Sequence, residues 1–69
     1  MDTRELLIKA KNQTGMTQRA FASYFGIPLR TVEDWLGGRR KMPDYLLRLM
    51  IYKLEMEQLV EGLSEELED

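Results

Sequence analysis

The fold of this chain is decided by residues 17–38, which read Thr-Gln-Arg-Ala-Phe-Ala-Ser-Tyr-Phe-Gly-Ile-Pro-Leu-Arg-Thr-Val-Glu-Asp-Trp-Leu-Gly-Gly. They predict two short helices joined by a tight turn at Gly26, because glycine readily takes the left-handed conformation that ends a helix. Thr17 is a favourable N-cap for the first helix. Pro28 fixes the backbone where the second helix starts.

The second of these helices has an apolar face that is expected to be buried and an opposite face whose residues burial does not explain. Val32, Trp35 and Leu36 lie at helical spacing and predict the inward face. The other face carries four side chains, Leu29, Arg30, Glu33 and Asp34. A helix presented in this way after a tight turn has the geometry that enters the DNA major groove, so the pattern predicts a recognition surface.

The same segment resembles the helix-turn-helix of the lambda-repressor-like (Cro/C1, or XRE) DNA-binding proteins. The residues that carry the resemblance are Thr17, Gln18, Ala22, Gly26, Thr31, Val32 and Trp35, followed by Gly38 and a basic loop before Pro43. The match covers about residues 3–54. Two positions depart from the family pattern, since Pro28 stands where Ser or Thr is frequent and Leu36 where Glu usually follows the tryptophan.

Further helices are expected on either side of this pair. A first helix is predicted over about residues 3–12, with Asp2 near its start and Gly15 after its end. A last helix is predicted from Asp44 to about Glu61, because no helix breaker interrupts that stretch. We therefore expect an all-α, lambda-repressor-like domain of four to five helices with a long C-terminal helix.

Charge divides the chain. Residues 1–53 hold all ten Lys and Arg against five acids, a net charge of +5, whereas residues 54–69 hold seven acids and no base, a net charge of −7. A basic body with an acidic tail is typical of nucleic-acid binders, although such acidic runs are also often simply solvated. We expect residues 1–54 to form a helix-turn-helix domain and residues 55–69 an acidic C-terminal extension of it.

Composition argues against an enzyme. The chain has no Cys and no His, which removes disulfides, thiolate metal sites and the usual general base, so neither catalysis nor a cofactor nor a metal is expected. Residues 1–5 lack the layout of a signal peptide, and no apolar run approaches the length that crosses a bilayer. We expect a cytoplasmic protein with no membrane contact.

The expected phosphate contacts are Gln18, Arg19, Thr31, Arg39, Arg40 and Lys41. The three basic residues 39–41 follow the recognition helix directly, where the resemblance implies that the loop touches the DNA backbone. Gln18 opens a helix whose N-terminal N–H groups can meet a phosphate. The alternatives are an exposed loop with incidental charge and a Thr31 at the edge of the core.

Base recognition is expected at three residues that match the family's base-contacting positions. Arg30 can donate two hydrogen bonds to guanine, Leu29 can pack on a thymine methyl group, and Asp34 can accept a hydrogen bond from cytosine. Against this, Arg30 and Asp34 are four residues apart and can pair on the helix surface. Glu33 and Asp34 also bring negative charge near the phosphates, which weakens binding.

A second apolar stripe on the last helix predicts an oligomer contact. Its members are Leu49, Tyr52, Met56, Leu59 and Leu63, at the alternating offsets of a helix seam. A homodimer is the commonest assembly that would cover such a stripe. The alternative is that the chain bends at Gly62 and residues 63–69 fold back over part of it.

The sequence thus predicts a sequence-specific regulator of transcription that binds double-stranded DNA as a homodimer and acts as a repressor. The alternative is an antitoxin or other interaction module, whose acidic segment 54–69 binds a partner protein such as a toxin. Duplex binding that weakens steeply with salt favours the first function. A stable 1:1 complex with a protein favours the second.

Overall fold

The computed structural model describes residues 2–67 and shows four α-helices followed by one short 3-10 helix. Their bounds are α1 Thr3–Thr14, α2 Gln18–Phe25, α3 Leu29–Gly37, α4 Asp44–Met56 and the 3-10 helix Ser64–Leu67. Residues 2–67 contain no β-strand, so the expected all-α class is confirmed. No helix among these residues has the length and apolar character needed to cross a membrane.

Local signals place the α2–α3 pair where the sequence predicts it. The Thr17 hydroxyl accepts a hydrogen bond from the Ala20 N–H at 3.1 Å and thereby caps α2. Gly26 has a φ of +68°, and the Ile27 N–H donates to the Ala22 carbonyl at 2.9 Å, which closes the end of the helix. The turn that follows is short enough to hold α3 against α2.

The core is built from one face of each helix. The largest fully buried side chains are Leu7, Phe21, Val32, Met42, Leu47, Ile51, Leu54, Leu63 and Leu67. The Trp35 ring is also buried, as its spacing from Val32 predicts. Helix α1 packs on both α3 and α4, while α2 packs on α3. The opposite face of α3 is thereby directed away from the core.

Helix α4 ends at Met56, so the prediction that it continues to about Glu61 is wrong. Gln58 takes a left-handed conformation with a φ of +62°. Its N–H donates to the Glu55 carbonyl at 3.0 Å, and the Leu59 N–H donates to the Leu54 carbonyl at 2.8 Å. This pair of bonds is the helix ending that glycine usually provides.

Beyond this turn the chain folds back on the domain as a C-terminal strap, residues 57–67. Val60, Leu63 and Leu67 are buried in the core. The Ser64 N–H donates to the Glu55 carboxylate at 3.0 Å, and Lys9 and Glu66 form an ion pair at 2.8 Å. The chain thus folds back, but from a turn at residue 58 and not from Gly62, and the strap leaves Leu49, Tyr52 and Met56 exposed. Residues 68 and 69 of the predicted acidic extension lie outside the described residues.

Candidate nucleic-acid interface

The outer face of α3 is open to solvent. Arg30 and Glu33 are exposed, and Gly37 follows them at helical spacing, so the three mark one line along the helix. The C-terminal strap packs on α4 and reaches α1 through the Lys9–Glu66 pair. The acidic end of the described chain is thus attached to other helices than the one predicted to read DNA.

The line along α3 leads into an open cleft of about 380 Å³, which we call the amide cleft. Its lining residues are Gln18, Glu33, Leu36, Gly37 and Arg39. Gln18 is the first residue of α2, and Arg39 belongs to the loop after α3. The fold therefore brings together two of the predicted phosphate contacts, a side-chain amide at a helix N-terminus and a guanidinium.

Asp34 anchors the start of the basic loop. Its carboxylate accepts a hydrogen bond from Arg39 Nε at 3.1 Å, and its carbonyl accepts the N–H groups of Arg39 and Arg40 at 2.9 and 3.2 Å. The partner of Asp34 is thus Arg39 and not Arg30, the partner that helix spacing offered. The Asp34 side chain is only 17% exposed, while that of Arg39 is 69% exposed. Asp34 therefore mainly fixes the position of the loop, and little of its carboxylate is accessible to a DNA base.

A second open cleft of about 370 Å³, the basic cleft, lies beside the same end of α3. It is lined by Asp2, Thr3, Arg4, Trp35, Gly38, Arg40, Lys41 and Met42. Arg4 donates from its Nε to the Leu36 carbonyl at 2.8 Å and so ties α1 to the last turn of α3. A cation at this position also opposes the negative end of the α3 dipole. The sequence did not predict a role for Arg4, because no local pattern indicates a contact between residues 32 positions apart.

The remaining predicted DNA contacts differ in how much of each side chain is accessible. Arg19 is exposed on the first turn of α2. Leu29 and Thr31 are half-buried, and Leu29 packs against the core. Arg30 is consequently the one exposed residue among the three predicted base contacts.

The five residues predicted to form one seam on the last helix do not lie on one surface. Leu49, Tyr52 and Met56 are exposed on α4. Leu63 is buried and Leu59 is half-buried, and both pack in the core of their own chain through the strap. The continuous five-residue seam is therefore wrong. The sequence reading also missed Tyr45, which is exposed one turn before Leu49.

A cluster of Tyr24, Lys53 and Glu57 joins the end of α4 to α2. The Tyr24 hydroxyl donates to the Glu57 carboxylate, and Lys53 Nζ lies 3.2 Å from that carboxylate and 4.9 Å from the centre of the Tyr24 ring. Burial raises the pKa of Tyr24 to about 12, with a further contribution from the hydrogen bond to Glu57. The hydrogen bond from Tyr24, followed by that from Lys53, lowers the pKa of Glu57.

Residues 2–67 contain no group of three or more acidic, Cys or His side chains that could hold a metal ion. Comparison with known proteins gave no match: no protein-family model, no curated protein and no solved structure is similar to this chain.

Proposed function

We propose that the protein is a lambda-repressor-like regulator of transcription that binds double-stranded DNA in the major groove. In this proposal it is a cytoplasmic homodimer and represses by occluding a promoter. The observation that supports the proposal is the exposed outer face of α3 with two open clefts near its C-terminal end, each lined by at least one arginine. An exposed helix bordered by cations and N–H donors is the arrangement that DNA recognition needs.

In this proposal the two clefts hold the phosphates. The amide cleft offers the Gln18 side chain and the Arg39 guanidinium to one phosphate. Arg40 and Lys41 are exposed at the basic cleft and offer two further cations. Because Asp34 fixes the start of the loop through three hydrogen bonds, Arg39 enters binding with its orientation already set.

Arg30 is the proposed base reader. Its side chain is exposed on α3, and its partner expected from helix spacing, Asp34, is already bonded to Arg39. A guanidinium available in this way can donate two hydrogen bonds to guanine O6 and N7. The exposed Glu33 opposes binding to phosphates, so Glu33 would weaken binding to every duplex.

The test begins with selection of bound duplexes from a random pool, which measures binding, base preference and half-site spacing together. Arg30→Ala should relax the preference at one position per half-site, a loss of about 1–3 kcal/mol in discrimination. A uniform loss on all duplexes would instead place Arg30 on a phosphate.

A triple variant, Arg39→Ala with Arg40→Ala and Lys41→Ala, tests the clefts. It should weaken binding to every duplex and flatten the slope of log K against log salt by about 0.9 for each phosphate that the variant no longer neutralises. Lys11→Ala, which removes a cation from α1, is the matched control and should leave the slope unchanged. An unchanged slope in the triple variant would remove the loop from the proposal.

The toxin-binding alternative has less support. It needs the segment 54–69 to present apolar side chains to a partner, but Leu54, Val60, Leu63 and Leu67 are buried in the core. In that segment a partner protein would meet the acidic exterior of the strap, with Met56 as the one large exposed apolar side chain among the described residues. A stable 1:1 complex with a protein, together with no retained duplex in the selection, would nevertheless replace DNA binding as the function.

A further inference from the structure

Helix α4 carries a stripe of large apolar side chains that the domain itself leaves uncovered. Tyr45 is 68% exposed, Leu49 61%, Tyr52 44% and Met56 85%. Within residues 2–67 the large hydrophobic side chains that are exposed all lie on this one helix. A concentration of this kind marks an interaction surface, because isolated apolar residues on a surface are ordinary but a contiguous patch is not.

The four residues follow the spacing of a helix seam. Their offsets are four, three and four, so Tyr45 and Tyr52 occupy one seam position, d, and Leu49 and Met56 the other, a. The buried residues Leu47, Met50, Ile51 and Leu54 occupy the remaining side of the helix and face the core. Helix α4 thus has an inner face that packs on the core and an outer face whose apolar spacing suits packing against a second helix.

The charges beside the stripe discriminate between two orientations of that second helix. Arg48 and Glu55 flank the stripe on one side, and Lys53 flanks it on the other. In a parallel pair Arg48 would face Lys53 of the partner subunit, a like charge that the Lys53–Glu57 ion pair balances only in part. In an antiparallel pair Arg48 would face Glu55 of the partner subunit, which keeps one carboxylate oxygen beyond its bond to Ser64, and symmetry would form that contact twice. Opposite charges favour the antiparallel arrangement.

The seam itself agrees with this orientation. The stripe is symmetric about the midpoint between Leu49 and Tyr52. In an antiparallel pair, residue 45 of one chain therefore lies level with residue 56 of the other, and residue 49 with residue 52. Each antiparallel layer then joins one residue at position a to one at position d, which places a tyrosine against a leucine or a methionine. A sulfur or aliphatic contact with a ring is favourable packing.

We propose that the occupant of this stripe is a second copy of the chain, packed through α4 in an antiparallel, two-fold-symmetric dimer. This dimer would supply the homodimer of the proposed function, but it forms without DNA, so its test is separate from the test of DNA binding. Two facing helices of about 20 Å bury less than the roughly 1,600 Å² of a standard interface. The dissociation constant is therefore expected in the micromolar range.

Sedimentation equilibrium in the absence of DNA tests the occupant. The unmodified chain should change from monomer to dimer as its concentration rises through the micromolar range. The double variant Leu49→Glu with Met56→Glu should raise the dissociation constant at least about 100-fold, because each carboxylate would be buried against apolar side chains. Asn12→Glu with Ser23→Glu adds the same charge at exposed positions of α1 and α2 and should leave the dimer intact. A chain that stays monomeric at millimolar concentration overturns the proposal.

Cross-linking tests the orientation, and the absence of native cysteine makes it direct. Tyr45→Cys and Met56→Cys should form a disulfide only when the two variants are mixed. Each variant alone should not, because eleven residues of helix, about 16 Å, would separate the identical positions, beyond the reach of a disulfide. Disulfides in either variant alone would show a parallel dimer and overturn the arrangement.

A charge reversal gives an independent reading of orientation. Arg48→Glu should weaken the antiparallel dimer, because it brings two acids together at each end of the seam. In a parallel dimer the same change would place Glu opposite Lys53 of the partner subunit and strengthen association. A tighter dimer in Arg48→Glu therefore overturns the proposal even where cross-linking is slow.

Discussion

Replacement of Leu63 by Ala tests whether the strap belongs to the core of its own chain. Leu63 is 1% exposed and lies beyond the end of α4, where the seam predicted from the sequence would have placed it against a second copy. If the structure is right, Leu63→Ala removes buried side-chain volume within one molecule. The loss of stability should then not depend on protein concentration.

The magnitude follows from burial and chain size. A fully buried Leu replaced by Ala costs about 2–5 kcal/mol, because transfer free energy is lost and a cavity remains. A chain of 69 residues has a total stability of roughly 3–10 kcal/mol. A loss of about 3 kcal/mol would lower Tm by roughly 12–24 °C in a domain of this size.

Urea and thermal unfolding, followed by circular dichroism at several protein concentrations, measure the effect. Glu61→Ala is the control on the same strap, since Glu61 is exposed and its truncation should cost less than about 0.5 kcal/mol. A difference between Leu63→Ala and the unmodified chain that grew on dilution would refute the assignment of Leu63 to the core of its own chain. An equal loss of stability in the two variants would refute it as well.

Two further predictions concern the end of α4. Gln58→Gly should stabilise the chain by about 0.5–1 kcal/mol in urea unfolding, because a non-glycine residue at a φ of +62° is strained; a loss of stability would contradict the left-handed turn. Because the pKa of Tyr24 is raised from 10.0 to about 12, unfolded chains lose this proton first, and the free energy of unfolding should fall as pH rises from about 10 to 12. Ultraviolet difference titration of the unmodified chain against Tyr24→Phe should show this group ionising late, and Glu57→Gln should bring its ionisation to lower pH.

The α2–α3 pair was predictable because its determinants are local. The hydroxyl of Thr17 reaches an N–H three residues away, and Gly26 and Gly38 end their helices within one turn. Each of these features can be recognised in the sequence, because it requires a particular residue type at a fixed position relative to the end of a helix. Burial of Trp35 and Val32 followed from helical spacing in the same way.

The end of α4 was not predictable from such signals. Gln58 is a good helix former, and nothing next to it in sequence breaks a helix. The turn is instead stabilised by burial of Leu63 and Leu67, a non-local gain that exceeds the cost of a left-handed glutamine. The helix seam predicted from the sequence continued past this turn, and it therefore assigned Leu59 and Leu63 to a dimer surface although both pack in the core.

In the candidate site, too, the features with local determinants were predicted and those that depend on tertiary packing were not. Gln18 and Arg39 were each predicted from position in the chain, and the fold brings them to one cleft. The bond between Arg39 and Asp34 was not predicted, because helix spacing offered Arg30 as the partner and Arg39 lies in the loop. The tie between Arg4 and the Leu36 carbonyl could come only from packing of α1 on α3.

The net charge of −2 is compatible with the proposed DNA binding, because three of the seven C-terminal acids are engaged away from α3. Glu55 accepts from Ser64, Glu57 from Tyr24 and Lys53, and Glu66 from Lys9, with every partner on α1, α2, α4 or the strap. At physiological salt, charges more than about 8 Å apart are largely screened, so each surface acts through its own groups. Near α3 the local acids are Glu33, Asp34 and Asp2. Arg39 already balances Asp34, and the Asp2 carboxylate caps α1. Glu33 is therefore the one acid on the outer face whose replacement by Gln should strengthen binding to every duplex.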